Sequence, residues 1–456
     1  MPKVVSFFFR GRFVNLVCFT LILVMMAAMA LPSAAFERQA NADYHARREA
    51  LANKAGGVVV LFAPLEVLDA VYAFRQENNF FYLSGQTEPG SALLIAPAAD
   101  AKGDSRARAY TEILFLPPHN FRREKYTGQK LGADNPEAPK ITGFDRVEEM
   151  SQLPEEVAKA IAGGRPVVYG DVAAQGDALA NAEPLAFLKR SNAVVSFEDV
   201  KPLIASLRMY KDAGEVALLR KAVDASVAAH FAAFKAVKPS VNEREISALM
   251  QYEWGKLGCE RPSYAPIVGS GSNSTVLHYS DDDNAMNSGD VVVIDAAGEY
   301  SMYAADITRT LPVNGHLTAR QREIYDIVLG AQEAAMAAFQ SGKSMLTGPS
   351  DASIGKVAMD YINSHGKDLH GEPLGKYFIH GLGHYLGLNV HDAGDYKVPL
   401  GPGMAFTIEP GMYIPEEKIG VRIEDDYWVD PNGKLVKLSA ALPSKAEDVE
   451  KAMKGK

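Results

Sequence analysis

The chain has 456 residues, of which 47% are hydrophobic, and a formal net charge of -9. Because single hydrophobic cores rarely grow past about 250–300 residues, this length indicates two domains. The acidic balance argues against a broad attraction to phosphate backbones or anionic lipid, so we expect no nucleic acid partner.

Residues 1–35 differ in composition from the rest of the chain. Lys3, Arg10 and Arg12 precede an apolar run at 13–31, which the sequence Pro-Ser-Ala-Ala follows at 32–35. This order is typical of a secretory signal peptide that ends in small residues. It predicts an exported protein, periplasmic or secreted. The run is also long enough for an uncleaved membrane anchor, which is the alternative interpretation.

The two cysteines do not predict a disulfide. Cys18 lies inside the apolar run, which leaves Cys259 as the single cysteine of the mature chain. A lone cysteine is more often a small buried hydrophobe than a nucleophile.

Strand and helix patterns alternate in the first half of the chain. Short apolar runs at 57–62, 91–96 and 112–116 predict buried strands, and residues 47–54 and 154–162 predict helices. We therefore expect an α/β domain over residues 40–202. A long Ala-rich helical pattern follows, and we place a catalytic domain at 203–445 and a C-terminal tail at 446–456.

The second half contains a weak internal repeat. Residues 289–295 and 403–409 each have a glycine, four intervening residues, an isoleucine and then an acid, Asp295 or Glu409. Each segment predicts a buried strand with a carboxylate at its end. A duplicated half would bring two such acids together, as a paired-metal site requires.

Two further acids, Asp306 and Glu424, are candidates beside Asp295 and Glu409. Asp306 begins the sequence Asp-Ile-Thr-Arg-Thr, and Glu424 lies in Arg-Ile-Glu-Asp-Asp. Because strand side chains alternate between faces, Arg422 and Glu424 point the same way. We expect Arg422 to hold Glu424 or to bind a substrate carbonyl or carboxylate.

Three of the ten histidines, His380, His384 and His391, lie within twelve residues and are interleaved with glycines. This spacing favours imidazoles close to a ligand or ion. The zincin motif is excluded, because Gly381 stands where that motif requires a glutamate.

Four carboxylates and one neutral imidazole carry a formal charge of about -4, which two divalent cations would balance. Such a cluster holds metals about 3.5–4 Å apart with a bridging hydroxide between them. The mostly oxygen ligands favour Mn²⁺, with Zn²⁺ and Co²⁺ as alternatives.

These residues resemble the pita-bread metallopeptidases, a family that includes Xaa-Pro aminopeptidase, prolidase and methionine aminopeptidase. The resemblance implies an α+β pita-bread (creatinase/aminopeptidase-like) catalytic domain behind the α/β N-terminal domain, and a homo-oligomer. It implies five metal ligands: Asp295, Asp306, His384, Glu409 and Glu424. It also implies catalytic roles for His278, His391 and Glu409, and substrate-binding roles for His380, Arg422 and Tyr413.

Residues 74–85 are similar to the N-terminal domain signature of aminopeptidase P and prolidase, which methionine aminopeptidases lack. Two positions depart from the family pattern: Asn79, where relatives often carry Asp, and Ala297, where glycine is usual. We expect the change at Asn79 to alter how the first domain shapes the substrate site.

The resemblance therefore implies a two-metal Xaa-Pro aminopeptidase acting on proline-containing peptides, with Glu409 as proton shuttle to an attacking hydroxide. Prolidase is the alternative within the family, and an inactive binding protein on the same fold is the alternative outside it.

Three other features are interpreted as structural: Asp281, Asp282 and Asp283 as an exposed acidic loop, the Lys-rich end at 434–456 as a solvated tail or short amphipathic helix, and residues 227–234 as core.

Overall fold

A computed structural model describes residues 36–67, 72–97, 110–162, 167–171 and 195–455. The predicted signal peptide at 1–35, with Cys18, lies outside the described residues. Within the described ranges, no helix combines the length and apolarity needed to cross a membrane.

The N-terminal domain is α/β, as the strand and helix patterns predict. Its helices are α1 (Asn41–Ala55), α2 (Asn78–Ser84), α3 (Phe121–Thr127), α4 (Ala138–Thr142) and α5 (Leu153–Ala162). Its strands are β1 (Val58–Phe62), β2 (Ala92–Pro97), β3 (Tyr110–Leu116), β4 (Arg146–Glu149), β5 (Val167–Gly170) and β6 (Ser196–Asp199).

These strands form one mixed sheet in the order β4-β3-β2-β1-β5-β6. β2 runs antiparallel to β1 and β3, whereas β4, β5 and β6 each pair in parallel with their neighbours. The apolar runs predicted to be strands are buried because helices and the second domain cover the sheet.

The second domain contains the remaining elements. The helices are α6 (Lys201–Arg208), α7 (Ala213–Ala236), α8 (Glu243–Lys256), α9 (Ala319–Ala338), α10 (Ile354–His365) and α11 (Ala446–Met453). The strands are β7 (Arg261–Pro262), β8 (Ile267–Ser270), β9 (Val291–Asp295), β10 (Gly298–Tyr300), β11 (Tyr303–Ala304), β12 (Thr308–Pro312), β13 (Ala405–Ile408), β14 (Gly411–Ile414), β15 (Ile419–Arg422), β16 (Asp425–Val429) and β17 (Leu435–Lys437).

This domain consists of two similar halves, as the internal repeat suggests. In the first half, helices α7 and α8 pack together behind the antiparallel sheet β12-β9-β8. In the second half, helices α9 and α10 pack together beside the antiparallel sheet β13-β16-β17 and the β14-β15 pair. A bridge between Thr308 and Glu424 joins the two halves at the centre of the domain.

Helix α7 begins at a capping box, in which Asp212 accepts a hydrogen bond from the Glu215 amide (2.8 Å) and Glu215 accepts one from the Asp212 amide (3.0 Å). Its Ala-rich sequence favours the helix, and the stripe at 227–234 is core, as predicted. The buried Cys259 thiol is free. Residue 203, the expected domain boundary, lies inside α6.

One expectation about the surface is wrong. Asp282 is buried, because its Oδ1 accepts a hydrogen bond from the Val268 amide (3.0 Å) beside strand β8, although Asp281 and Asp283 are exposed. At the C-terminal end, the short amphipathic helix is the interpretation that holds: α11 buries Ala446 and Val449 against the core, and β17 extends the β16 sheet. The apolar face of an amphipathic helix is buried by packing, which is why α11 lies against the core.

Candidate metal centre

The predicted ligands come from the ends of strands in both halves of the second domain. Asp295 ends β9, Asp306 lies just before β12, Glu409 follows β13, and Glu424 lies between β15 and β16. His384 reaches them from a loop whose backbone pairs with β13, since Thr407 donates its amide to the His384 carbonyl (2.9 Å).

Gly383 is required for this pairing. A Cβ atom at Gly383 would lie 2.1 Å from the Thr407 carbonyl oxygen, a distance that no side chain tolerates. The glycine beside His384 therefore brings the imidazole close to the strand-borne acids.

All five predicted ligands line one cavity of about 520 Å³. Asp306, His384 and Glu424 present ligand atoms that all lie within 4.8 Å of one another. His384 Nε2 is 3.2 Å from Asp306 Oδ2 and 3.3 Å from Glu409 Oε1. Asp295 lies at the same cavity, where its Oδ1 accepts from the Tyr264 hydroxyl (2.5 Å) and its Oδ2 from Arg422 (2.6 Å).

The tautomer of His384 suits metal binding. Its Nδ1 lies 3.0 Å from the Tyr385 carbonyl oxygen, which can only accept, so Nδ1 carries the proton. Burial alone would lower the pKa of His384, but the hydrogen bond and charge of Asp306 outweigh burial and raise it to about 9, so without a metal Nε2 also carries a proton that faces Asp306 and Glu409. A bound ion would take the place of that proton, as in metal sites whose histidine donates its other ring nitrogen to a carbonyl.

The charges that line the cavity favour the binding of cations. Burial raises the pKa of Glu424 well above its usual range, and repulsion from Asp306 and Glu409 adds to the effect. Burial also raises the pKa of Glu409 to about 7, against the attraction of His384. Oxygen-rich, mutually repelling donors with one imidazole fit divalent cations, which would remove the repulsion.

Three side chains that the sequence did not single out hold the acids in place. They are Tyr264, Thr308 and Thr407. Thr308 donates from Oγ1 to Glu424 (2.5 Å), Thr407 donates from Oγ1 to Glu409 (3.1 Å), and Tyr264 holds Asp295. Thr308 and Thr407 lie on strands next to the predicted acids, but only the fold shows which hydroxyl meets which carboxylate.

Among the described residues, no hydrogen bond or ion pair joins Arg422 to Glu424, contrary to one of the roles that we expected from strand alternation. It donates from Nη2 to Asp295, from Nη1 to the Tyr413 hydroxyl (2.7 Å) and from Nε to Thr308 Oγ1 (3.1 Å). Thr308, rather than Arg422, donates a hydrogen bond to Glu424. The guanidinium lies across the cavity wall because Asp295, from the other half of the domain, offers it a full negative charge.

Tyr413 links Arg422 to His380. His380 Nδ1 donates to the Gly381 carbonyl oxygen (2.8 Å), and burial lowers the pKa of His380 to about 4, so its Nε2 accepts the Tyr413 hydroxyl (2.9 Å). A chain of hydrogen bonds therefore runs from Asp295 through Arg422 and Tyr413 to His380 along one side of the cavity.

His278 and His391 lie at the cavity and are exposed at its opening. The His391 ring packs 4.1 Å from the His384 ring, and burial lowers the pKa of His391, with repulsion from His384 adding to it. Neither imidazole is enclosed, so both are accessible to a ligand that enters.

The loop that carries His391 is held by ion pairs from outside the cavity. Asp392 accepts hydrogen bonds from Arg208 and from Lys211 (2.8 Å), and all three side chains are buried. Arg208 also donates to Asn79 of the first domain (2.6 Å). Asn79, the departure from the family pattern, therefore contacts the cation that holds this loop.

Two halves that deliver acids and one imidazole to a shared cavity define the pita-bread metallopeptidase class, and the comparisons agree. Residues 217–431 match the family described as Metallopeptidase family M24, and residues 44–169 match the aminopeptidase P N-terminal domain.

Relatives that match over most of the chain identify the family within this class. The Xaa-Pro aminopeptidase of Escherichia coli is 34% identical over 440 residues, covering 90% of this chain and 97% of that protein. Human Xaa-Pro aminopeptidase 3 is 33% identical and covers 86% of this chain and 80% of its own. The solved structure of E. coli aminopeptidase P with the inhibitor Pro-Leu matches with a TM-score of 0.80 at 31% identity, covering 92% of this chain and 99% of that one. The chain belongs to the Xaa-Pro aminopeptidase family of M24 metallopeptidases, which confirms the resemblance and the fold class.

Proposed function

We propose that this chain is a Xaa-Pro aminopeptidase that binds two divalent ions, Mn²⁺ foremost, and removes an N-terminal residue that precedes proline from peptides. The observation that carries the proposal is the convergence of Asp306, His384, Glu409 and Glu424 on one cavity, with Asp295 at its wall. Relatives of nearly equal length are named Xaa-Pro aminopeptidases, which favours this activity over prolidase.

The five ligands would hold the ions. When bound, the ions would polarise the substrate carbonyl and lower the pKa of an attacking water. Each Asp295 oxygen that accepts a hydrogen bond keeps a second lone pair, so its contacts with Tyr264 and Arg422 are compatible with ligation.

Glu409 is the proposed proton shuttle. Burial holds the pKa of Glu409 at about 7 in the metal-free site, and the shuttle role requires a carboxyl that takes a proton from the attacking water and returns it to the leaving proline nitrogen. Thr407 orients the carboxylate through its hydroxyl.

The exposed imidazoles of His278 and His391 bind the substrate. From the cavity opening they can donate hydrogen bonds to the oxygen that becomes negative as the peptide bond is attacked. His380, Tyr413 and Arg422 also line the cavity and orient the peptide. Because Arg422 is already paired with Asp295, its main role is to hold that acid and Tyr413 in place.

The test uses a matched set of peptides: a Xaa-Pro dipeptide, a longer peptide with the same two residues, and the longer peptide with alanine in place of proline. Signal-free protein is assayed after chelation and again after Mn²⁺, Zn²⁺ or Co²⁺ is restored. We expect metal-dependent release of the first residue from the longer proline peptide, fastest with Mn²⁺. Cleavage of the dipeptide alone would make the protein a prolidase, and no cleavage with any metal would make it a binding protein.

Asp306→Asn is the variant for this assay, because it removes one ligand charge while it keeps the volume of the side chain. Asp360→Asn is its control, because Asp360 lies in an exposed ion pair with Lys356 on α10. We expect the first to lose activity and metal, and the second to keep both.

Export is supported by the sequence of residues 1–35 alone. Expression of the full chain, cell fractionation and N-terminal sequencing would test it: a soluble exported protein that begins at Phe36 is expected, and an intact N-terminus in the membrane fraction indicates the anchor. We propose a homo-oligomer by analogy with the family, to be measured by light scattering.

A further inference from the structure

Helix α7 carries a buried hydrogen-bond donor directly behind two of the acids. His230 is fully buried, and its Nε2 lies 3.1 Å from both the Ala296 and the Ile307 carbonyl oxygens. Carbonyl oxygens only accept, so Nε2 carries the proton and shares it between them. Ala296 and Ile307 are the residues that directly follow Asp295 and Asp306.

Helix α9 repeats this arrangement in the other half of the domain. Gln332 is buried, and its Nε2 donates to the Ile408 (3.0 Å) and Ile423 (3.3 Å) carbonyl oxygens. Ile408 and Ile423 are the residues that directly precede Glu409 and Glu424. A third contact, to Asp425 Oδ2 (3.0 Å), fixes the amide orientation.

We propose that His230 and Gln332 are positioning residues, each of which sets the separation of one pair of acidic ligands by bridging the backbone beside them. His230 would fix Asp295 relative to Asp306, and Gln332 would fix Glu409 relative to Glu424. The inference rests on the proposed metal function, because its consequence is the spacing of the ligands.

Both donors are neutral, which suits their position. Burial, together with the nearby Arg309 charge, lowers the pKa of His230 to about 3, so the imidazole stays uncharged near neutral pH. A cation there would compete with bound metal for the carboxylates, whereas a neutral donor shared by two strands restrains geometry only. His230 Nδ1 has no hydrogen-bond partner among the described residues, so Nε2 is the atom that performs this role.

The alternative is that both side chains serve only to pack the hydrophobic core. It is weakened by where the donors point: each reaches two separate strands at the residues next to the acids, and each belongs to a helix that packs behind its own half of the domain. Removal of outer hydrogen-bonding partners of metal ligands typically lowers metal affinity about 10- to 100-fold.

The test variants are His230→Leu and Gln332→Met, which remove the donor and keep an apolar side chain of similar size. Phe234→Leu and Val328→Ala are the matched controls, because these buried residues lie one helical turn away on α7 and α9 and belong to the apolar core. His230→Gln restores a neutral donor. Mn²⁺ affinity and stoichiometry are measured by calorimetry on chelated protein, and stability by urea unfolding.

We expect Mn²⁺ to bind His230→Leu and Gln332→Met about 10- to 100-fold more weakly than wild type. The two control variants should bind Mn²⁺ with near-normal affinity, although they lose a comparable amount of stability. His230→Gln should recover the Mn²⁺ affinity that His230→Leu loses. Amide hydrogen exchange of the metal-free protein adds a second readout. Exchange should rise over residues 294–308 in His230→Leu and over 408–424 in Gln332→Met.

Normal Mn²⁺ binding by both donor-deficient variants would overturn the inference, as would equal loss of affinity in the controls. If the wild-type chain binds no metal, the proposed function fails on its own. Hydrogen exchange then decides whether His230 and Gln332 restrain these segments, and unchanged exchange in both variants refutes the positioning role.

Discussion

Replacement of Asp392 by asparagine should be strongly destabilising. Arg208 and Lys211 are buried and direct their charges at this carboxylate. Removing one partner of a buried ion pair costs about 3–5 kcal/mol, because the remaining charge is left without compensation. Two cations depend on Asp392, so we expect a loss in the free energy of unfolding toward the upper part of this range at neutral pH.

The pH dependence gives an independent magnitude. Burial favours the neutral acid, but Lys211 and Arg208 outweigh it and lower the pKa of Asp392 from 3.8 to about 2. At about 1.4 kcal/mol per pKa unit, this corresponds to about 2 kcal/mol. Because the folded pKa is depressed, this stabilisation is present above about pH 4 and is lost as the pH falls toward 2.

The assay is urea unfolding of wild type and Asp392→Asn, followed by circular dichroism at a series of pH values. The difference in unfolding free energy should be large at pH 7 and should shrink by about 2 kcal/mol between pH 4 and pH 2. Asp360→Asn, which breaks an exposed pair, should match wild type throughout. A difference that is small at pH 7, or that does not change with pH, would falsify this account of Asp392.

Three other outcomes follow from the structure. Thr308→Val should weaken metal binding about 10-fold or more, measured by calorimetry, because Glu424 loses its hydroxyl partner; near-normal affinity would contradict this role. Chelation should lower the melting temperature, and metal at about 100 times its dissociation constant should restore about 2.7 kcal/mol of stability; identical melting with and without metal would contradict binding to the folded state. Burial raises the pKa of Cys259 to about 12, so a thiol reagent at pH 8 should label signal-free protein only after unfolding, and rapid labelling of the native protein would show that the thiol is accessible.

The sequence by itself determined the types and positions of the acids and histidines at the site. Asp295 and Glu409 stand out because a carboxylate at the end of an apolar strand is a local pattern. The choice of all five candidate ligands, with Asp306, His384 and Glu424, came from the resemblance of the short motifs around them to the family. The main strands and helices of the first domain were found because hydrophobic periodicity is also local.

Only the tertiary structure decided the partners of these residues. Arg422 meets Asp295 across 127 residues and Thr308 meets Glu424 across 116, so strand alternation around Arg422 could not identify either contact. The burial of Asp282 and the packing of α11 likewise depend on distant segments. His230 and Gln332 had no recognisable motif, because a side chain that bonds only to backbone carbonyls leaves no pattern in the sequence of its partners. The candidate ligands can thus be recognised from local sequence, whereas their geometry depends on how the two halves of the domain meet.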